Sequence, residues 1–344
     1  MSVFLEELKR FNLDFNKNLL AEIDTNVEKA KNLNEISEIV MSDIKRLVVN
    51  GGKRVRPFLA YIGYNLARDF QNQNSNLDLL NLEICLEFFQ TFALIHDDII
   101  DKSILRRNQP TIQAHFNEFF EDEHYGLTAA ILAGDWCQML ADEYFSRVET
   151  GGKNLYQVFN QMKFEVNAGQ LDDSLGITRE KLENLDEKRI FSMLNYKSGL
   201  YSVEKPLLLG AVLGGFSDLT LLSKIGKNLG LLFQLIDDYL GVFGVEEDTG
   251  KSAISDITEG KKTWLMFLAY KHSENPSKVS LILDSKKQSL EDINWLKTQI
   301  PVDIFWDYCR NLVQENTENF KFLPDSTAKK VLLDFQKWLL ERTS

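Results

Sequence analysis

Two aspartate clusters, about 140 residues apart, constrain this chain more than any other feature. The first reads Asp97-Asp98-Ile99-Ile100-Asp101. The second reads Asp237-Asp238-Tyr239-Leu240-Gly241 and is entered through Phe233-Gln234. Each interrupts an apolar run, Phe88 to Ile100 and Leu229 to Val242. Such flanks predict buried helices, where a bare carboxylate is costly unless it is paired or bound to metal. Positions i and i+4 share a helix face, so Asp97 and Asp101 project together. Two such faces turned toward each other would hold hard cations through oxygen ligands, and those cations can hold a diphosphate.

The 344 residues suffice for a large core in one or two domains. A net charge of −12 argues against nucleic-acid binding. The three cysteines, Cys85, Cys137 and Cys309, are far apart and odd in number. They fit a reducing compartment and supply neither a disulfide framework nor a zinc site. The four histidines form no HxxxH pair. Met1 to Leu20 interleaves charged and apolar residues like an amphipathic helix, not a signal peptide. The longest nearly uncharged apolar stretch, Pro206 to Phe216, falls short of the roughly 20 residues of a membrane span. The expectation is a soluble, cytoplasmic protein without a transmembrane segment.

Helical periodicity dominates, prolines number six, and no alternating run suggests a sheet. Met1–Asn50 reads as two amphipathic helices, with Leu19, Leu20 and Ile23 on one face, stopped by Gly51-Gly52. Pro57 opens a helix to Arg68. A buried helix follows from about Leu79 to Asp101, then a charged loop from Ser103 to Pro110. Further helices are expected near Leu127–Glu149, Asn154–Asn167, Glu187–Gly199, Lys205–Gly215, Leu219–Phe243 and Lys262–Lys271. Val245 to Gly260 reads as a flexible polar loop, and the tail from Leu281 as short helices broken by prolines. One all-α domain spanning residues 1–344 is the simplest account.

Several lesser signals sit around the acids. Gly51-Gly52-Lys53-Arg54-Val55-Arg56-Pro57 places three cations beside a helix start, which favours an anion. Arg106-Arg107 follow Asp101 closely, and arginine grips phosphate oxygens with two hydrogen bonds. Lys251 and Lys261 lie where a mobile flap could close on phosphates, without a Walker P-loop pattern. Tyr196-Lys197-Ser198 puts a lysine in an uncharged stretch, and such a lysine needs a partner or an anion. Taken singly, each is as readily a solvated turn or a surface charge. His96 points off the carboxylate face and reads as a packed or hydrogen-bonding histidine, not a metal ligand. The chain offers no obvious covalent nucleophile.

Together, GGKRVRP, LIHDDIIDKSILRR, GQLDD, YKSGLYSVEKPLLLGA, FQLIDDYLG and DTGKSAISDITEGKKT resemble the trans-isoprenyl diphosphate synthase family over roughly residues 45 to 270. The resemblance implies an isoprenoid synthase-type helical bundle with a central cavity, usually a homodimer, using Mg²⁺, three ions per site. Asp97, Asp101 and Asp237 match the metal-binding positions, with Asp98 and Asp238 in support. Lys53, Arg56, Gln90 and Arg107 match positions that hold isopentenyl diphosphate. Arg106, Lys197, Ser198, Gln234, Lys251 and Lys261 match contacts to the allylic diphosphate, and Gln170 and Gln234 line the reaction centre. Three positions depart from the usual pattern: Gln90 and Gln113 stand where histidine is common, and Gly241 stands where the second motif has its last aspartate.

The implied reaction ionises an allylic diphosphate, whose cation is attacked by the double bond of isopentenyl diphosphate. Phe92 and Phe89 precede Asp97 by five and eight residues, or ~7.5 and ~12 Å along a helix. Both are expected roughly on the carboxylate face, where a bulky ring would floor the hydrocarbon cavity. An aromatic at Phe92 implies a short product, geranylgeranyl diphosphate first and farnesyl diphosphate second, ahead of longer chains. A class I terpene cyclase and a non-catalytic partner subunit are the rival readings, disfavoured by the intact acids and cations.

Overall fold

The computed structural model describes residues 2–68, 76–244, 255–285 and 287–342. The chain divides into two units, Met1–Leu155 with Leu209–Ser217, and Tyr156–Leu208 with Asp218–Ser344.

In the first unit, α1 (Val3–Lys31) buries Phe4, Leu8, Phe11, Phe15, Leu19 and Ile23 at spacings of three and four, the stripe of an amphipathic helix. Leu20, expected on that face, is exposed instead, because the stripe rotates past it. Helices α2 (Glu35–Val49) and α3 (Val55–Arg68) follow, the latter starting two residues before Pro57. The central element is α4 (Leu77–Ile100), capped by the Asn76 side chain on Leu79 N–H. It packs against α3 and α6 and buries Leu82, Ile84, Leu86, Phe88 and Phe89. Each such side chain contributes about 1.5–3 kcal/mol of burial. Among the described residues it is also the one helix long and apolar enough to cross a membrane. Its interior carboxyls and its burial inside the unit fit a core helix.

The expected charged loop after α4 contains a small hairpin, β1 (Leu105–Arg106) and β2 (Gln109–Pro110). Arg107 and Asn108 turn it with φ of 53° and 59°, the paired left-handed geometry of a two-residue hairpin. The hairpin is tied to α2, where Arg46 donates to Pro110 O at 2.9 Å while Asp43 accepts from Arg46 Nε at 2.5 Å. Helix α5 (Ile112–Phe120), capped by Thr111, was not expected from periodicity, and α6 (Glu123–Ser146) completes the unit's main helices.

Glu83, on α4, is 5 % exposed, and burial raises its pKa well above the ordinary glutamate value. Its folded-state pKa is therefore above its unfolded one. The folded protein keeps a proton that the unfolded chain loses, and stability falls as pH rises through that window. Glu83→Gln should flatten this slope, which approaches about 1.4 kcal/mol per pH unit for one proton. Urea denaturation of both proteins between pH 5 and 8 reads the difference. Parallel curves would show that Glu83 is ionised in the native state.

The second unit is built on α7 (Gly152–Leu171), α8 (Glu187–Leu194) and α10 (Leu219–Phe243), the last with the bounds its sequence predicts. Two stretches widen into π-helical turns, 172–176 after α7 and 195–204 after α8, where the chain passes into α9 (Lys205–Gly214). Such wide turns often mark functional sites. The C-terminal part holds α11 (Ser255–Thr258), α12 (Trp264–His272), α13 (Pro276–Leu283), α14 (Leu290–Thr298), α15 (Val302–Phe320) and α16 (Thr327–Glu341). The last two are full-length helices, not the short ones expected. Pro301 and Pro324 lie ahead of them and break neither.

Candidate active site

The first unit carries one acid cluster at the C-terminal end of α4. Asp101 caps the helix in αR geometry and donates its N–H to Asp97 O at 2.8 Å, so both residues lie on the last turn. A helix C-terminus carries partial negative charge, so carboxylates there need cations. Arg106 supplies one. Its Nε donates to both Asp98 oxygens at 2.9 and 2.8 Å, its Nη2 to Asp98 Oδ1 at 2.6 Å, and Nη2 lies 3.5 Å from Asp97 Oδ2. Asp98 is buried at 3 % exposure. It anchors the arginine, while Asp97 keeps a more open carboxylate.

The glycine-rich segment packs beside this cluster. Gly51 and Gly52 adopt φ of 156° and 113°, and a Cβ on Gly51 would lie 2.8 Å from Arg107 Cδ and Nη1. Glycine is needed here for both the turn and the close approach. The three cations of the segment separate. Lys53 is exposed and Arg56 half-buried, but Arg54 turns inward. It donates to Glu87 Oε1, to Asn16 Oδ1 at 2.9 Å and to Val48 O at 2.6 Å. Arg54 is thus a buried strut, and Glu87 is its counter-ion. Burial first, then repulsion from Arg106, Arg54 and Arg56, lowers the Arg107 pKa, while Glu87 opposes this. A concentration of guanidinium charge of this kind attracts an anion. Gln90 lies one helical turn from Glu87, and its Oε1 is buried without a hydrogen-bond partner among the described residues.

Lower on α4, Phe89 is fully buried and Phe92 half-buried, with ring centroids 5.4 Å apart. The Phe92 ring meets His96 edge-on at 4.9 Å. His96 lies against Gly134 of α6 and within 3.3 Å of Ile131 O, so it is the packed histidine expected. Through His96, Phe92 leans toward α6.

The second unit carries the other acid cluster, on α10. Asp238 is buried and accepts from Gln234 Nε2 at 2.7 Å. Burial raises its pKa well above the aspartate value, and the charges of Asp256 and Asp237 push the same way. Asp237 is more open and pairs with Arg342 at 2.7 Å. A Cβ on Gly241 would lie 2.3 Å from Asp256 Oδ2. A carboxylate from α11 thus fills the space beside the position where an aspartate is missing from the motif. Lys261 lies 3.7 Å from Asp256 Oδ1 and 2.6 Å from Glu259 Oε2.

Lys197 and Ser198 sit in the second π-helical stretch, where Lys197 Nζ donates to Asp173 Oδ2 at 2.5 Å. Gln170 Nε2 reaches Ser174 Oγ at 3.3 Å. Glycines bring these segments together. A Cβ on Gly169 would lie 2.1 Å from Lys197 N, and one on Gly230 would lie 2.3 Å from Gly199 O. Backbone contact between α7, the π-helical stretch and α10 sets Gln170, Lys197 and Gln234 on adjoining segments. Lys251 lies outside the described residues.

Sequence reasoning passed over Asp256, Glu87 and Arg342. The first sits in the DITEGKKT match, the second lies seven residues before Leu94 of the first motif, and the third carries no local signal at all.

The pattern of the polyprenyl synthetase family matches residues 37–300. A short chain isoprenyl diphosphate synthase of Methanocaldococcus jannaschii is 31% identical over 81% of this chain and 80% of its own. A geranylgeranyl diphosphate synthase of Sulfolobus acidocaldarius is 29% identical over 83% and 87%. Among solved structures, geranylgeranyl pyrophosphate synthase from Corynebacterium glutamicum, complexed with isoprenyl diphosphate and magnesium, superposes with a TM-score of 0.85. It is 28% identical and aligns over 97% of this chain and 99% of that one. The chain belongs to the polyprenyl synthetase family and is an all-α prenyltransferase that builds short-chain isoprenyl diphosphates.

Proposed function

We propose that the chain is a geranylgeranyl diphosphate synthase, condensing isopentenyl diphosphate with an allylic diphosphate in a Mg²⁺-dependent reaction. The observation that carries the reading is the pair of acid clusters, each with an open aspartate backed by a buried one. Asp97, Asp101 and Asp237 are the proposed metal ligands. Among the described residues, no three His, Cys, Asp or Glu side chains converge tightly enough to hold a metal unaided. Mg²⁺ binds through one or two carboxylates, substrate phosphates and several waters, so the open aspartates need supply only part of its shell. When bound, the metal neutralises charge on the departing diphosphate. A complement of three ions follows from the family resemblance.

The chain's own residues supply the rest. Lys53, Arg56, Gln90 and Arg107 hold isopentenyl diphosphate, Arg107 through its forked guanidinium. Arg106, Lys197, Ser198, Gln234, Lys261 and Lys251 bind the allylic diphosphate. Preorganised cations stabilise a leaving anion without rearranging as charge develops. Gln170 helps line the reaction centre. The released diphosphate takes the final proton, so no protein base is required. The single-domain organisation, a homodimer and a cytoplasmic setting belong to the same proposal. Leu132 and Met139, left exposed along α6, support the homodimer.

Product length is assigned to Phe92, with Phe89 buried behind it. The reading rests on the Phe92 ring, half-buried and 5.4 Å from that of Phe89, lying on the same helix as Asp97 and five residues before it. Phe92→Ala should shift the products from twenty carbons to longer chains, read by chromatography after dephosphorylation. An unchanged product distribution would remove Phe92 as the floor.

A further inference from the structure

We infer that Arg342 is a built-in counter-cation for Asp237, occupying its carboxylate until a divalent metal displaces it. The inference rests on Asp237 as a metal ligand. Arg342 follows α16 directly, and its Nη1 lies 2.7 Å from Asp237 Oδ1. Its guanidinium is set over two rings, 5.5 Å from the Trp338 centroid and 5.9 Å from Phe233. These contacts hold the side chain along α10, where α16 packs.

Among the described residues, Lys261 faces Asp256 and Arg342 faces Asp237. Arg342 engages only Oδ1, so the carboxylate keeps acceptor sites for a metal, but a guanidinium and a divalent ion on one carboxylate repel each other and compete for its charge. Metal binding at Asp237 therefore works against the ion pair, and what the pair loses is subtracted from metal affinity. The pair is partly solvated, with side-chain exposures of 23% and 36%. Its strength falls in the range of exposed or half-buried pairs, so the effect on affinity is a few-fold. The acid cluster is kept neutralised when metal is absent, and metal loading responds to how firmly Arg342 is held.

The test is a Mn²⁺ titration of the full chain without diphosphate, reading free Mn²⁺ by electron paramagnetic resonance. Wild type, Arg342→Ala, Arg342→Lys and Asp237→Asn are compared, with circular dichroism confirming the fold of each. Arg342→Ala should bind Mn²⁺ about three- to fivefold more tightly than wild type, with Arg342→Lys between them. Equal or weaker binding by Arg342→Ala, while Asp237→Asn loses the ion, would overturn the role of the arginine alone. Asp237→Asn binding Mn²⁺ as wild type does, or no binding by any variant, would overturn Asp237 as a ligand and the inference with it.

Discussion

Asp237→Ala should lower kcat about a thousandfold, since a metal stabilises a leaving anion by several kcal/mol and each 1.36 kcal/mol is tenfold in rate. The substitution also frees Arg342 from its ion pair, 2.7 Å long in the intact chain. That loss costs little stability, because a partly solvated pair contributes at most about 1 kcal/mol. Activity and stability should therefore separate, with kcat collapsing and the urea midpoint nearly unmoved. A steady-state assay with excess Mg²⁺ beside a denaturation curve makes the comparison. An active Asp237→Ala enzyme would remove the second acid cluster from the chemistry.

Glu87→Ala should do the opposite and act first on stability. Glu87 and Arg54 have side chains 9% and 4% exposed, and the pair links the GGKRVRP segment to α4. Removing the carboxylate leaves a guanidinium buried, with Asn16 and the Val48 carbonyl as its partners. Breaking a buried pair from one side costs about 3–5 kcal/mol. Replacing both partners, Arg54→Met with Glu87→Met, should recover most of that loss, because no charge is then left in the core. Urea unfolding of the single and double variants checks this. A single variant as stable as wild type would mean that water reaches Arg54.

The acid clusters and the cationic segments were legible because their chemistry is at odds with their apolar flanks. Aspartates inside long apolar runs have few explanations, and α10 begins and ends where its periodicity places it. What could not be read depended on the third dimension. Lys53, Arg54 and Arg56 look alike in sequence, and only the turn through Gly51 and Gly52 sends Arg54 inward to Glu87. Helix α5 was missed because a short, strongly aromatic segment beside a charged hairpin gives few turns of periodicity. The π-helical stretch around Lys197 has no sequence signature, since it arises where Gly169, Gly199 and Gly230 let backbones touch. The gap at Gly241 was visible as a departure, but its neighbour, the Asp256 carboxylate from α11, was not. Phe92 was found by counting back from Asp97, yet its lean toward α6 depends on His96 and Gly134.

One measurement tests the account most directly. Purified chain is incubated with Mg²⁺, labelled isopentenyl diphosphate and, in turn, dimethylallyl, geranyl or farnesyl diphosphate, and the dephosphorylated products are chromatographed. A discrete twenty-carbon allylic alcohol from at least one starter is the predicted result. No elongation from any starter, or release of a cyclised hydrocarbon in its place, would contradict the synthase.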